Sequence, residues 1–223
     1  MSRPSGSPAD RTATDIYRLL FAAYGPQHWW PAQSAFEMMV GAILTQNTAW
    51  TNVEKAIANL RAAAALDAQA MLTMDEAGLR ELIRPSGFFN QKAARLRLFC
   101  AYYLQTGREA GMRTLPDPRA SLLALNGIGP ETADSILLYA LGMPVFVVDA
   151  YTRRIFTRLG LLPEGVNYAD TQDFFHAQLA NSAPLFNEYH ALIVQHAKQH
   201  CRVKPDCSRC PVSGFCSYRQ GKR

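Results

Sequence analysis

Four cysteines crowd the end of the chain in the spacing Cys201-x5-Cys207-x2-Cys210-x5-Cys216. A CxxC pair with two outlying cysteines in so short a span reads as a ligand set for a soft metal. Four-cysteine ligation fits zinc, yet zinc ribbons usually pair two CxxC units, and one CxxC with longer arms fits a compact loop around an iron–sulfur cube. The fifth cysteine, Cys100, lies in an apolar helical stretch and reads as core. A second group runs from Leu122 to Asp149, where Asn126-Gly127-Ile128-Gly129-Pro130 joins two amphipathic segments. The glycines permit a tight turn and a close backbone approach, and Ile128 between them plugs the apolar seam. The N–H groups that open the second helix are electropositive and suit a phosphate; the same residues also fit an ordinary helical hairpin with a glycine stop. Asp149 follows an apolar tetrapeptide at a helix head, where aspartate usually serves as an N-cap. Trp29-Trp30-Pro31 supplies aromatic faces, fit for stacking or for core.

The elements that must position these residues are helical nearly throughout. Ile16, Leu19, Leu20 and Ala23 share one face before Gly25-Pro26 stops the first helix. Ser34 caps Ala35 to Leu44, and the polar turn Thr45-Gln46-Asn47-Thr48 leads to a helix with Val53, Ile57 and Leu60 in register. Asp67 and Asp75 read as N-caps of two short helices. Helices are also expected over Gln91–Gln105, Pro118–Leu125, Glu131–Leu141, Asp149–Leu159, Asp170–Ala180 and Glu188–His200. Val145 to Val148 is the one β-like run, too short to found a sheet. The expected fold class is all-α.

Composition narrows the function classes. The chain has 223 residues, 48% hydrophobic and 18% charged, enough to bury a core without disulfides, so disorder as the main state is excluded. No stretch of roughly 18 apolar residues lacks a polar breaker, so no membrane span is expected. The opening MSRPSGSPAD has no apolar segment behind a basic patch and reads as a loose tail rather than a secretory signal. A cytoplasmic, nucleoid-associated protein is the expectation. Twenty-three Lys+Arg against eighteen Asp+Glu give +5, a mild lean toward a polyanionic partner.

The hairpin, the Gly/Pro-bearing loop and Asp149 together resemble the helix-hairpin-helix DNA glycosylases, over nearly the whole chain from about residue 14. The resemblance implies a central helical-barrel domain over 32–146 with the hairpin motif at 119–141. It also implies a discontinuous second domain from 14–31 plus 147–223 that carries the cysteine loop at 201–216, after a disordered tail at 1–13. The partner is then double-stranded DNA bearing a damaged base, bound by a monomer in a cleft between the domains. The hairpin (Gly127, Ile128, Gly129) grips the backbone, often with a monovalent cation, and Gln46 fills the gap left by the flipped base; as a turn residue Gln46 is also a plausible exposed cap. Asp149 is the implied catalytic carboxylate. Cleaving an N-glycosidic bond leaves an oxocarbenium-like sugar that a carboxylate stabilises while it orients or deprotonates water. A helix N-terminus keeps such a carboxylate ionised.

Bifunctional members such as endonuclease III carry a lysine just after the hairpin, whose amine forms a Schiff base and permits strand nicking. Glu131 stands at that position, so a monofunctional glycosylase is expected. Gly41-Ala42-Ile43-Leu44 offers none of the acid that adenine-mismatch members carry there. His28 to Pro31, GAILTQNT (41–48), RPSGFFNQKA (84–93), GIGPETADSILLYA (127–140), Val147 to Asp149 and YHALIVQHAKQ (189–199) resemble the bacterial 3-methyladenine DNA glycosylase III branch more closely. That resemblance implies a base pocket of Trp29, Trp30, Pro31 and Trp50, with Lys198 beside the catalytic aspartate, and N-alkylated purines as substrates. Indole faces attract such cationic bases. That branch lacks the cysteines; the endonuclease III branch holds a 4Fe-4S cluster there with one more residue in the first gap, so a 4Fe-4S cluster of structural role is the expected cofactor. An endonuclease III-like enzyme for oxidised pyrimidines and a non-catalytic damage-binding module are the alternatives. Lys92, Arg95, Arg153, Arg154 and Arg158 are candidate phosphate contacts, although solvated helix faces account for most such charges.

Overall fold

The computed structural model describes residues 12–29 and 32–221. Trp30, Pro31 and positions 1–11 of the expected tail lie outside the described residues. Thr12 caps the first helix in a reciprocal box with Asp15, so regular structure starts at Ala13.

The described residues are helical, with no strand among them. Two compact units divide the chain: a central one, Trp30–Met143, and a terminal one made of the chain through Trp29 together with Pro144 onward. The central unit carries α2 (Ala35–Leu44), α3 (Trp50–Ala62), α4 (Ala68–Thr73), α5 (Glu76–Ile83) and α6 (Phe89–Gln105). It continues with α7 (Arg108–Arg113), α8 (Pro118–Leu123) and α9 (Pro130–Ser135), the last running into a π-helical turn, Ile136–Ala140. The terminal unit holds α1 (Ala13–Tyr24), α10 (Ala150–Leu159), α11 (Tyr168–Gln178), α12 (Ala183–Gln199) and α13 (Ser217–Gln220).

Local chemistry sets most boundaries. Ser34, Asp67 and Asp75 each accept a hydrogen bond from the backbone N–H three residues on, as their sequence positions predict. α12 starts five residues before the predicted Glu188, because Ser182 caps it and Pro184 fits its first turn. α7 has no sequence counterpart above; Gly107, at φ 83°, turns the chain into it.

The central core is built on α2, whose residues from Phe36 to Leu44 are all buried. Even Glu37, 6% exposed, lies inside, held bidentately by Arg61 at 2.9 Å. The terminal core is aromatic: Phe146 stacks on Phe175 at 3.8 Å between centroids, and Phe156, Phe186 and Tyr189 meet them edge-on. The Tyr189 hydroxyl donates to Ala13 O at 2.7 Å, so its polar tip is satisfied in the core. The β-like run at 145–148 needs no sheet, because α11 serves its backbone. Gln172 Nε2 donates to Phe146 O (2.7 Å), and His176 Nε2 accepts from Phe146 N–H (3.2 Å). That extended segment delivers the chain to Asp149.

Candidate active site

Asp149 heads α10 with extended backbone, and its two oxygens have different surroundings. Oδ1 accepts from Thr152 N–H (2.7 Å) and from the Thr152 hydroxyl (2.8 Å), which makes it the helix cap. Oδ2 lies 3.5 Å from His190 Nε2 on α12, and the two side chains are 13% and 7% exposed. Burial pushes the Asp149 carboxyl up. The hydrogen bond and charge of His190, with the two Thr152 donors, outweigh that and hold it below the usual carboxylate range. A desolvated carboxylate that stays ionised is the group a developing cation requires. His190 had no sequence signal of its own; it is one polar position on the buried face of an apolar helix.

The hairpin is α8, the turn through Gly129, and α9. Arg119 Nε and Nη2 reach Asp134 Oδ1 and Oδ2 at 2.7 and 3.1 Å, a bidentate pair that clips the two helices together. Asp134 is fully buried. Ile128 is buried, at 5% exposure. Gly127 sits at φ +85°, and a Cβ there would collide with Arg95 Nε, with Cδ at 2.7 Å. Gly129 caps α9, and Gly129, Pro130 and Glu131 are exposed. Glu131 is in the first turn of α9, as its match to the lysine position implies, and it carries no amine.

Gln46 is not a free cap. Its Nε2 donates to Gly127 O (3.0 Å) and Thr132 Oγ1 (2.9 Å), and its Oε1 accepts from Arg95 Nη1 (2.6 Å). The next residue, Asn47, has φ 55°, a left-handed backbone that turns the chain sharply behind it. Phe88 is a further feature without a sequence signal: it is 60% exposed and held at φ 47° just before α6. In the terminal unit, Lys198 Nζ stands 5.8 Å from the Trp29 ring, a cation–π distance. Trp50 opens α3 in the central unit, with Nε1 donating to Glu54 Oε1 at 2.9 Å.

Several basic residues have work other than phosphate contact. Lys92 is fully buried, and its ammonium donates to Leu44 O (2.8 Å) and Ser86 O (2.7 Å), tying α6 to the end of α2. Arg154 Nε donates to Cys201 O (2.9 Å), and Arg158 donates to Arg202 O (2.6 Å) and Val203 O (3.0 Å). These arginines fold the cysteine loop.

The metal expectation needs correction. Cys201, Cys207, Cys210 and Cys216 line one small cavity as free thiols. Among the described residues, however, no group of three or more His, Cys, Asp or Glu is arranged to hold a metal ion. The thiols instead have protein partners: Cys216 Sγ donates to Arg158 O at 3.4 Å, and Cys210 Sγ lies 3.9 Å from His196 Nε2. Burial pushes the Cys210 thiol up to about 11 and raises Cys216. The donor set does not fit the 4Fe-4S cluster or the metal-binding role expected of it. At the hairpin turn Leu125 O accepts from Ile128 N–H and Gly127 O from Gln46.

The profile of the HhH-GPD superfamily of base excision DNA repair proteins matches residues 40–177, more than half of the chain. The chain belongs to this superfamily. A Methanocaldococcus jannaschii protein named as a DNA repair glycosylase is 48% identical over 90% of this chain and 94% of its own length. Endonuclease III of Escherichia coli is 30% identical over 84% of this chain and 85% of its own. A Helicobacter pylori 3-methyladenine DNA glycosylase, solved with 1,N6-ethenoadenine bound, is 31% identical with a TM-score of 0.76, over 85% of this chain and 98% of that one. This HhH-GPD protein is thus a DNA repair glycosylase, an enzyme acting on damaged bases. No helix among its described residues is long and apolar enough to cross a membrane.

Proposed function

We propose that the protein is an endonuclease III-type glycosylase that releases its base by hydrolysis, without a Schiff base. Two observations carry this reading: Asp149 is ionised and largely buried, and a glutamate, Glu131, stands where a lyase places its amine. In this reaction Asp149 Oδ1 stays on Thr152 as the fixed anchor. Oδ2 faces the sugar as positive charge builds on it, and orients or deprotonates the attacking water. His190 and Thr152 keep the carboxylate charged in a site from which water is largely excluded.

The base is proposed to be neutral, an oxidised pyrimidine. The recurrence of endonuclease III among the relatives supports this, and so does Lys198: its ammonium already occupies a face of Trp29 and would repel a cationic N3-alkylated adenine. A second reading, N-alkylated purines as substrates, is favoured by the likeness to the Helicobacter pylori enzyme. Gln46 and the hairpin glycines Gly127 and Gly129 are proposed to engage the duplex, with Gln46 entering the gap opposite the vacated base. Exposed Phe88 is suited to wedge beside it. A base-release assay on duplexes holding thymine glycol or 3-methyladenine separates the two readings. Release of thymine glycol in preference to 3-methyladenine is expected, and the opposite order would replace the first reading with the second.

A further inference from the structure

We infer that Arg95 is a positioning residue that locks the Gln46 side chain to the hairpin, so that gripping the DNA backbone and filling the gap occur as one motion. The inference rests on the gap-filling reading of Gln46 proposed above. Arg95 occupies the turn of α6 after Lys92, which fixes that helix to Leu44 at the end of α2. From there its guanidinium donates to Gln46 Oε1 at 2.6 Å while its stem lies across Gly127, where no Cβ fits. The amide has two ends and one satisfied orientation. With Oε1 on the guanidinium, Nε2 must point at Gly127 O and Thr132 Oγ1, and a flipped amide would set Nε2 against a cation and Oε1 against a carbonyl. Thr132 is 7% exposed, so its hydroxyl has little access to water as a substitute partner. Gln46 therefore cannot move without breaking bonds to both α6 and the hairpin, and a shift of the hairpin on binding phosphate is felt at Gln46 directly. Arg95 thereby contributes to gap filling without touching DNA.

The test uses the full chain and the ratio of its affinities for a duplex holding a tetrahydrofuran abasic-site analogue and for the intact duplex, read by fluorescence anisotropy. Arg95→Met keeps the stem on Gly127 and removes the guanidinium. It is expected to lower the ratio about tenfold, the scale of one charge-assisted hydrogen bond. Gln46→Ala is expected to lower it similarly, and the double variant no further than Gln46→Ala alone. A wild-type ratio in Arg95→Met, or losses that add in the double variant, would overturn the inference. If Arg95→Met fails to fold, Arg95→Leu decides: it keeps an apolar side chain against Gly127 and removes the donor to Gln46 Oε1, and an unchanged ratio there overturns the inference equally. An unchanged ratio in Gln46→Ala removes the gap-filling role itself, and the inference with it. Binding to the analogue requires no turnover, so failure to release any base would count against the proposed function and not against Arg95.

Discussion

Asp149 has to cap a helix and serve the chemistry, and its two oxygens divide those tasks. Asn retains the cap but not the charge. Asp149→Asn should therefore lower base release by about 100-fold or more while the melting temperature stays within a few degrees, read by single-turnover kinetics and calorimetry. The depressed Asp149 pKa has a definite sign: the ionised form persists below the ordinary carboxylate range and is lost only as pH falls through the lowered folded value. In His190→Leu only the two Thr152 donors are left to oppose burial, which pushes the carboxyl up. The acid limb of the rate profile should move to higher pH, and His190→Asn, which keeps a donor, should restore part of the shift. Lys92 shows a linkage of the same sign in a more alkaline window. Burial, with the charge of Arg95 adding to it, pulls its amine down to about 8, while an unfolded lysine titrates near 10.4. Between those values the unfolded chain binds more protons, so wild-type stability gains a rising component with pH there that Lys92→Met should lack, as denaturant titrations at several pH values would show. The two residues also differ in legibility. Asp149 announced itself by an apolar run and a helix head; Lys92 looked like one more basic helix residue, because burial is set by its tertiary neighbours and not by its local spacing.

At the scale of elements, the hairpin was the most readable part of the chain. Gly127-Ile128-Gly129 predicts a tight turn with an apolar plug, and the structure has Gly127 at φ +85° and Ile128 buried. What the turn residues do not reveal is the clip beneath them. Asp134 reads as an ordinary helix acid until α8 brings Arg119 across to it. Arg119→Met removes the bidentate partner of that buried carboxylate and should cost about 3 kcal/mol, measured by urea denaturation. The π-helical turn at Ile136–Ala140 was also hidden, since its pattern reads as a continuous α-helix. Two contacts accompany it: the Ser135 hydroxyl donates back to Glu131 O (2.7 Å), and Arg113 Nε donates to Leu141 O (3.0 Å) at its far end. The helix boundaries follow the same division. Caps such as Ser34 and Asp75 are local and legible, whereas the early start of α12 turns on Ser182 and Pro184, outside the apolar run that drew attention.

For the whole molecule, an all-α chain and superfamily membership follow from pattern and motif, because helical periodicity and a glycine hairpin are carried in short segments. The cysteine loop marks the limit of that approach. Four cysteines at ligand-like spacing promise a metal, yet spacing along the chain does not fix where the thiols point. Here Arg158 lies against the Cys201 thiol and His196 against that of Cys210, while Arg154 holds the Cys201 carbonyl. The net charge of +5 is modest for a DNA enzyme. Lys92, Arg95, Arg119, Arg154 and Arg158 are engaged with the protein, so less of the basic charge is available to phosphate than the count of 23 suggests. The affinity for intact duplex should accordingly fall only gently with salt, by roughly 0.9 log units per tenfold increase in salt for each phosphate neutralised. The central claim is that base release is hydrolytic and driven by Asp149. Its most direct test is single-turnover release from a lesion duplex with borohydride present. Free base with no covalent protein–DNA adduct in the wild type, and no release with Asp149→Asn, is the predicted result; a trapped adduct in the wild type would contradict it.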